Sequence, residues 1–554
     1  MVKFGIGQSV TRKEDDRLIQ GKGCYTDDIQ LPDMTHAVFL RSPYAHAKIT
    51  QIDCEDAKSM PGVLLILQYS DLAALDIGHI PCFITIDNVD GSDHYKPPRP
   101  LLADGVVRHV GDPVAMIVAE TAAQAIDAME AIQVEYEELP ASITMDAALS
   151  ADATPIWPKL GSNLGFHWQK GDRSATDTAF AKAAKTVTLD LVNNRIIANS
   201  LEPRNAVGDY ADGRYTLYSG SQGVHQLKNQ ISNMILKIDS DLLRVVTPEV
   251  GGGFGMKIFV YNEQPLVLIA AQKIGRPVKW NGERSRDAFL SDAQGRDHQT
   301  RCEMALDGDN RFLGMRVHTK ANMGGHYSNF APFIPTDCGS HMLVGVYDIP
   351  AIHVEVQGVF TNTVPVDAYR GAGRPEATYV IERLVDYCAQ SLKVDRMTLR
   401  HINFHKTFPA PTAMGTIYDS GNFDAVLEKG LKQVGYHDFE ERRAKAKARG
   451  MLRGLGIAYY IESCGKGAGD STRIKVQDDG RLQVFVGTQT NGQGHETAFS
   501  QIIADQLGVP IHSVDVIMGD SDLIPTGAGT GGSRSIPEVG SALLNTTKTL
   551  IDKA

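Results

Sequence analysis

The sequence predicts a mixed α/β (α+β) fold, and three observations carry that prediction. Asp112 to Glu120 reads as a strand, Thr121 to Ile132 as an alanine-rich helix and Gln133 to Leu139 as an alternating strand ending at Pro140, which makes one strand-helix-strand module. Strands and helices alternate again from about 160 to 405, and another α/β segment runs from 423 onward. Four times, a strand-like run is followed by a glycine-rich loop and an amphipathic helix.

The first of these has LLRVVTPEV, then Gly251-GGFG, then a helix from Glu263 to Gly275. The second has VPVDAYR, then Gly371-AGRP, then Glu376 to Leu392. The third has RLQVFVGTQTNGQGH followed by Glu496 to Gly508, and the fourth has SVDVIMGDSDLIPTGAGTGGSRS followed by Pro537 to Ala554.

A chain of 554 residues, 42% hydrophobic and 22% charged, can bury cores for roughly two to four domains. The small, polar, proline-marked stretch Leu149 to Pro158 and the break His405 to Asn422 suggest linkers. The expected units are 1–148, 149–410 and 411–554. A net charge of -11 argues against bulk attraction to nucleic acid or an anionic membrane. The start, MVKFGIGQSVTRKEDDRL, lacks a signal-peptide apolar stretch, and later apolar runs are too short to span a bilayer, so a cytoplasmic location is expected.

Cys24, Cys54, Cys82, Cys302, Cys338, Cys388 and Cys464 are scattered singly, without a C-x-x-C pair. That spacing encodes neither a zinc site nor an iron-sulfur cluster. Cys388 falls among Val380, Ile381, Leu384 and Val385 at helical spacing and is expected in the core.

Glycines at strand-to-helix turns let backbone amides face a cavity, and helix N-termini add partial positive charge there. Four such turns could surround a bulky phosphorylated ligand, although each loop alone is equally consistent with a structural turn. Glu263, Glu376, Glu496 and Glu538 sit near the helix starts, where the dipole favours carboxylates whether or not a ligand binds. No G-x-x-x-x-G-K-[ST], G-x-S-x-G or H-E-x-x-H motif occurs, which removes the P-loop, nucleophile-elbow and zinc-helix readings. GAGTGG, from Gly527 to Gly532, lies too far beyond SVDVIMG for a dinucleotide-binding turn. His225, His353 and His495 read as ordinary surface or core histidines.

Taken in order, GKGCYTDDIQLPDM, LRSPYAHAKITQID, VRHVGDPVAMIVAE, EPRNAV, SQGVHQLK, GGGFGMK, AYRGAGRPEA, GTQTNGQGHETAFSQIIADQLG and TGAGTGGSRS resemble the large, molybdopterin-binding subunits of the xanthine dehydrogenase, aldehyde oxidase and carbon monoxide dehydrogenase family. The resemblance covers essentially the whole chain. It implies an N-terminal α/β hammerhead domain followed by molybdopterin-binding α+β domains. It also implies molybdopterin cytosine dinucleotide with molybdenum held by the pterin and by no protein side chain.

By the same resemblance, Gln222 matches the glutamine that hydrogen-bonds an oxygen on the metal, and Gly253, Phe254 and Gly255 match the loop beside the metal's ligands. Arg370 matches an arginine facing substrate. Gln493, Gly494 and His495 match the pyrophosphate segment, while Ser533, Arg534 and Ser535 match the segment around the pterin. Carbon hydroxylation with water is then the cofactor's own chemistry. Electrons are expected to leave through separate [2Fe-2S] and FAD subunits of a heterotrimer.

Three departures shape the expected function. CO-oxidising relatives carry a copper-binding cysteine where this chain has Gly371, and purine-oxidising relatives carry a glutamate where it has Ile258. An aldehyde or an aromatic N-heterocycle is therefore expected as the small-molecule substrate. The family's general-base glutamate lies in a G-x-G-E segment beyond the position of Ala554. The last domain is accordingly read as truncated. The missing part is then supplied by a separate C-terminal polypeptide, or the chain is a catalytically incompetent fragment or scaffold. A third alternative is a phosphate-ligand-binding protein without redox chemistry.

Overall fold

The structure is a computed structural model that describes residues 5–465 and 469–553. The first four residues and Ala554, which the readings of the N-terminal start and of the last helix include, lie outside the described residues.

The N-terminal module forms as the spacing predicts, with Pro113–Ala119 as a strand, α1 over Ala122–Ala131 and Gln133–Glu138 as a strand. Thr121 starts α1 by accepting a hydrogen bond from the Gln124 amide, the usual service of a threonine N-cap. The two strands of the module join different sheets. Gln133–Glu138 pairs with Ala47–Asp53, whereas every residue of Pro113–Ala119 is buried inside a seven-stranded sheet.

That sheet has the spatial order Leu243–Val246, Arg214–Ser219, Asn205–Ala211, Val278–Asn281, Thr35–Arg41, Pro113–Ala119, Val63–Leu67. Three of its strands come from the first 148 residues and four from beyond the Leu149–Pro158 stretch. The joint is a parallel pairing of Thr35, His36 and Ala37 with Val278, Lys279 and Trp280. The long helix α2, Glu263–Ile274, lies on this sheet and is buried on all sides over its first nine residues. It comes so close to the strand Asn205–Ala211 that a Cβ on Gly208 would meet the Val267 backbone at 2.6 Å, so only glycine suits that position.

The stretch expected as a linker is anchored rather than loose. Ile156 and Trp157 are buried, and Trp157 Nε1 donates to the Gly325 carbonyl at 3.0 Å.

A second sheet has the order Leu164–Gly171, Ile352–Phe360, Phe312–Gly324, His298–Leu306, Lys185–Asn193. Helix α3, Arg374–Leu392, covers one face, and its Val380, Ile381, Leu384, Val385 and fully buried Cys388 join the largest core. Cys388 packs as its helical spacing predicts. The third sheet, Thr472–Val476, Leu482–Val486 and Val514–Ile517, packs against α4, His495–Leu507, and α5, Ser541–Lys553.

Two of the four loop-helix units differ from the sequence expectation. VPVDAYR is not a strand: only Val366 makes a bridge, to Gln294. Its backbone groups are taken one at a time by scattered partners, among them Gln294, Phe254 and the Arg296 guanidinium. The fourth helix begins later than expected, because Ser535–Gly540 forms a wide helical turn before α5.

Candidate functional site

The first and fourth glycine loops meet at Gln222, which ties them together. Its Oε1 accepts from the Gly255 amide at 2.8 Å, its Nε2 donates to the Thr530 carbonyl at 2.8 Å and its own carbonyl accepts from the Thr530 amide at 2.6 Å. One buried side chain thus joins the first and fourth loops. The approach is tight: a Cβ on Gly253 would meet Gln222 Oε1 at 2.6 Å, and one on Gly529 would meet the Gln222 carbonyl at 2.3 Å.

Behind the first loop, Glu202 of EPRNAV accepts from the Gly251 amide and from Lys257 Nζ, both at 2.8 Å. The Lys257 side chain is fully buried. Burial lowers its pKa against the raising effect of Glu202.

The second loop is joined to the first by the Arg370 amide, which donates to the Phe254 carbonyl at 2.8 Å. Arg296 holds it from below, donating to the carbonyls of Tyr369 at 3.1 Å and Arg370 at 2.8 Å while pairing with Glu376 at 2.9 Å. Glu376 therefore does more at the start of α3 than answer a helix dipole. The same holds for Glu263, which pairs with Arg41 and Arg204, and for Glu496, which pairs with Arg17. The Arg370 side chain is exposed, and its guanidinium lies 5.7 Å from the centre of the Phe254 ring.

These loops enclose a cavity of about 250 Å³ lined by Gln222, Gly253, Phe254, Gly255, Arg370, Gln493 and Ser533, together with Ile258, Asn491 and Gly532. A larger chamber of about 540 Å³ shares Ile258, Ala368, Ala372, Arg374, Gly531 and Gly532 with it and is walled by Phe259, Phe330, Phe333, Ile334 and Met414.

Gly494, His495, Arg534 and Ser535 do not line the smaller cavity. Gly494 and His495 start α4, and burial pushes the His495 imidazole down to about 4, which leaves it neutral. Arg534 lines the larger chamber and folds back onto the carbonyls of Ala528 and Gly529. Ser535 Oγ lies 3.4 Å from Thr488 Oγ1.

Of the other two histidines, His353 is buried with Nε2 3.2 Å from Gln169 Oε1, and His225 is half-buried. Asn491, Arg374 and the pair Glu202–Lys257 are site residues that motif matching passed over. All four lie inside or beside the quoted segments.

The site suits a polar ligand that carries hydrogen-bond donors as well as negative charge. The amide oxygens Gln489 Oε1 and Asn491 Oδ1, which only accept, and His495 Nδ1 are buried without a hydrogen-bond partner among the described residues, an arrangement proteins avoid unless something else pairs with them. Gly492 and Gly532 adopt left-handed backbone, with φ of 106° and 62°, and have open space where a side chain would stand. The cavity also carries the arginines Arg370 and Arg374 and lies at the start of α3, where the helix dipole favours negative charge.

Residues 156–404 and 429–554 match the molybdopterin cofactor-binding domain family, and residues 20–140 match the a/b hammerhead domain of aldehyde oxidase and xanthine dehydrogenase. The chain is 35% identical to the carbon monoxide dehydrogenase large chain of Hydrogenophaga pseudoflava, over 99% of this chain and 71% of that one. It is 33% identical to the nicotine 6-hydroxylase large subunit of Paenarthrobacter nicotinovorans, over 96% of this chain and 66% of that one. The crystal structure of quinoline 2-oxidoreductase from Pseudomonas putida 86 superposes with a TM-score of 0.91 at 31% identity, covering 99% of this chain and 72% of that chain. The chain therefore belongs to the molybdopterin-binding large-subunit family of the molybdenum hydroxylases, alongside the carbon monoxide and xanthine dehydrogenases.

Proposed function

We propose that this chain binds molybdopterin cytosine dinucleotide and hydroxylates an electron-poor carbon of an aldehyde or aromatic N-heterocycle, passing electrons to iron-sulfur and FAD subunits. The observation that carries this reading is the pair of adjoining chambers, the smaller lined by glycine-loop residues with Gln222, Asn491, Gln493 and Arg370 and the larger bearing a wall of phenylalanines among polar residues. When bound, the cofactor supplies two-electron oxidation of carbon with oxygen from water.

The chain's own residues bind and orient. Gln222, fixed at both ends of its amide, holds the loops that face the metal end. The amides around Gly492 and Gly532 and the neutral His495 receive the phosphate-bearing part. Arg370, at the mouth of the smaller cavity, meets the substrate, and the phenylalanines of the larger chamber exclude water from it.

Gly371 favours organic substrates over CO. A cysteine there would place its Cβ 2.2 Å from Pro375 Cγ on a backbone with φ of 99°, so a copper-binding thiolate does not fit. Two relatives whose names specify N-heterocycles, nicotine and quinoline, support the same substrate class.

The test is chemical. Acid treatment of the purified chain should release CMP together with stoichiometric molybdenum, and addition of the partner subunits should give dye reduction with aldehydes or N-heterocycles. Nucleotide-free, metal-free protein from a host that makes the cofactor would overturn the reading.

A further inference from the structure

Away from the cofactor cavities, His109, Asp112 and His326 bring three ligand atoms within 4.8 Å of one another. All three residues are buried, and they come from segments far apart in the chain. His109 and Asp112 lie in the turn that leads into strand Pro113–Ala119, and His326 follows strand Phe312–Gly324. Asp112 Oδ2 accepts from the Arg108 amide at 2.9 Å and lies 3.2 Å from His326 Nε2. Asp112 Oδ1 lies 3.5 Å from His109 Nε2.

The hydrogen bond on the far side of His109 fixes its tautomer. Nδ1 is 2.9 Å from the Val110 carbonyl, and a carbonyl oxygen only accepts, so Nδ1 carries the proton. In the neutral ring Nε2 then presents a lone pair to a carboxylate. A lone pair facing a carboxylate repels it unless a positive charge stands between them. On the other arm, His326 presents Nε2 to Asp112, while its Nδ1 is buried without a hydrogen-bond partner among the described residues.

The spacing fits a metal ion. Ligands about 2.1 Å from a tetrahedral zinc stand roughly 3.4 Å apart, and the two pairs measured here, one through each Asp112 oxygen, are 3.5 and 3.2 Å. A histidine whose Nδ1–H is given to a carbonyl while Nε2 faces the ion is the orientation that metal-bound histidines adopt. Two imidazoles and one carboxylate suit a zinc-class ion better than calcium or magnesium, which take oxygen donors. Two cations flank the cluster. Arg108 stacks 3.7 Å over the Trp157 ring and pairs with Asp104, and Arg99 donates to Asn262 Oδ1. Their positive charge opposes any dication that lacks strong nitrogen ligation.

We propose that His109, Asp112 and His326 form a buried structural site for a zinc-class divalent cation. The ion staples the turn before Pro113 to the segment that continues from His326 into Phe330 and Phe333, the apolar wall of the larger chamber.

The test uses the full chain from a host that does not make the molybdenum cofactor, which separates this ion from molybdenum. After desalting, elemental analysis should find zinc stoichiometric with protein. Cobalt loaded in its place should give tetrahedral ligand-field bands without thiolate charge transfer. His326→Gln and Asp112→Asn should each abolish the cobalt spectrum, while His318→Gln, at an exposed histidine within the strand Phe312–Gly324, should leave it intact. Equilibrium dialysis showing no bound zinc or cobalt, or variants that keep the metal, would overturn the proposal. If the variants fail to fold, the wild-type cobalt spectrum decides alone: an octahedral, water-like spectrum or none at all refutes the site.

Discussion

The Gly255 amide donates to Gln222 Oε1 at 2.8 Å, and the same side chain donates to the Thr530 carbonyl, so one residue holds the first glycine loop to the fourth. Replacing Gln222 by Ala leaves a buried amide and a buried carbonyl unpaired, at about 1–3 kcal/mol each when nothing replaces the bond. The expected outcome is a folded protein that retains much less cofactor. Molybdenum and CMP content, measured beside far-UV circular dichroism, checks it; unchanged cofactor content would contradict the role given to Gln222.

Arg370 and Arg296 should separate by phenotype. Arg370→Ala removes an exposed guanidinium at the cavity mouth and touches no loop carbonyl, so cofactor content should hold while turnover falls about a hundredfold, as for loss of one preorganised donor. Arg296→Gln releases the carbonyls of Tyr369 and Arg370 and leaves Glu376 unpaired, so both cofactor content and turnover should fall. Steady-state kinetics normalised to molybdenum distinguishes the two.

Gly371→Ala should be poorly tolerated although the position is only half-buried. Its φ of 99° and the 2.2 Å approach to Pro375 Cγ force the loop to shift, and a strained backbone of this kind costs about 1–3 kcal/mol. A lowered melting temperature and lost activity are expected, and the same change at Gly308, which has open space at the Cβ position and no left-handed φ, should cost less.

Acid should unfold the seven-stranded sheet region through Glu263. Burial raises its pKa, but Arg204 and Arg41 outweigh that and bring it down to about 2 from an ordinary 4.5. A depressed carboxyl contributes stability that is full above pH 4.5 and is lost as pH falls toward 2. Glu263→Gln should flatten that part of the stability-pH curve. It should also cost roughly 3–5 kcal/mol at neutral pH, because Arg41 and Arg204 lose a buried partner. Denaturant unfolding at several pH values measures both effects.

The sequence shows the helices α1 to α4 within a residue or two, because alanine runs, N-caps and closing glycines such as Gly275 and Gly508 are local signals. Sheet membership was not legible: the strand before α1 pairs with Thr35–Arg41 and Val63–Leu67 and the strand after it with Ala47–Asp53, and no local signal in either strand names its neighbour. At the site, Gln222, Phe254 and Arg370 were legible as motif members. Arg296, which holds the Arg370 loop, was not: its contacts are to backbone carbonyls some seventy residues away, and no residue type at a fixed spacing signals such a bond. Asp112 and His326 escaped notice for the same reason, since only the packed chain brings them together.

The pairing of Thr35 with Val278 bears on how the protein is made. The strand at Thr35 waits for a neighbour about 240 residues later in synthesis, roughly ten to fifty seconds at ordinary elongation rates. During that interval one edge of the early sheet stands open, a natural template for pairing with another nascent chain. Slow release from the ribosome, or a chaperone that shields the Thr35–Arg41 edge, should therefore decide the yield of native protein more than the cofactor supply does.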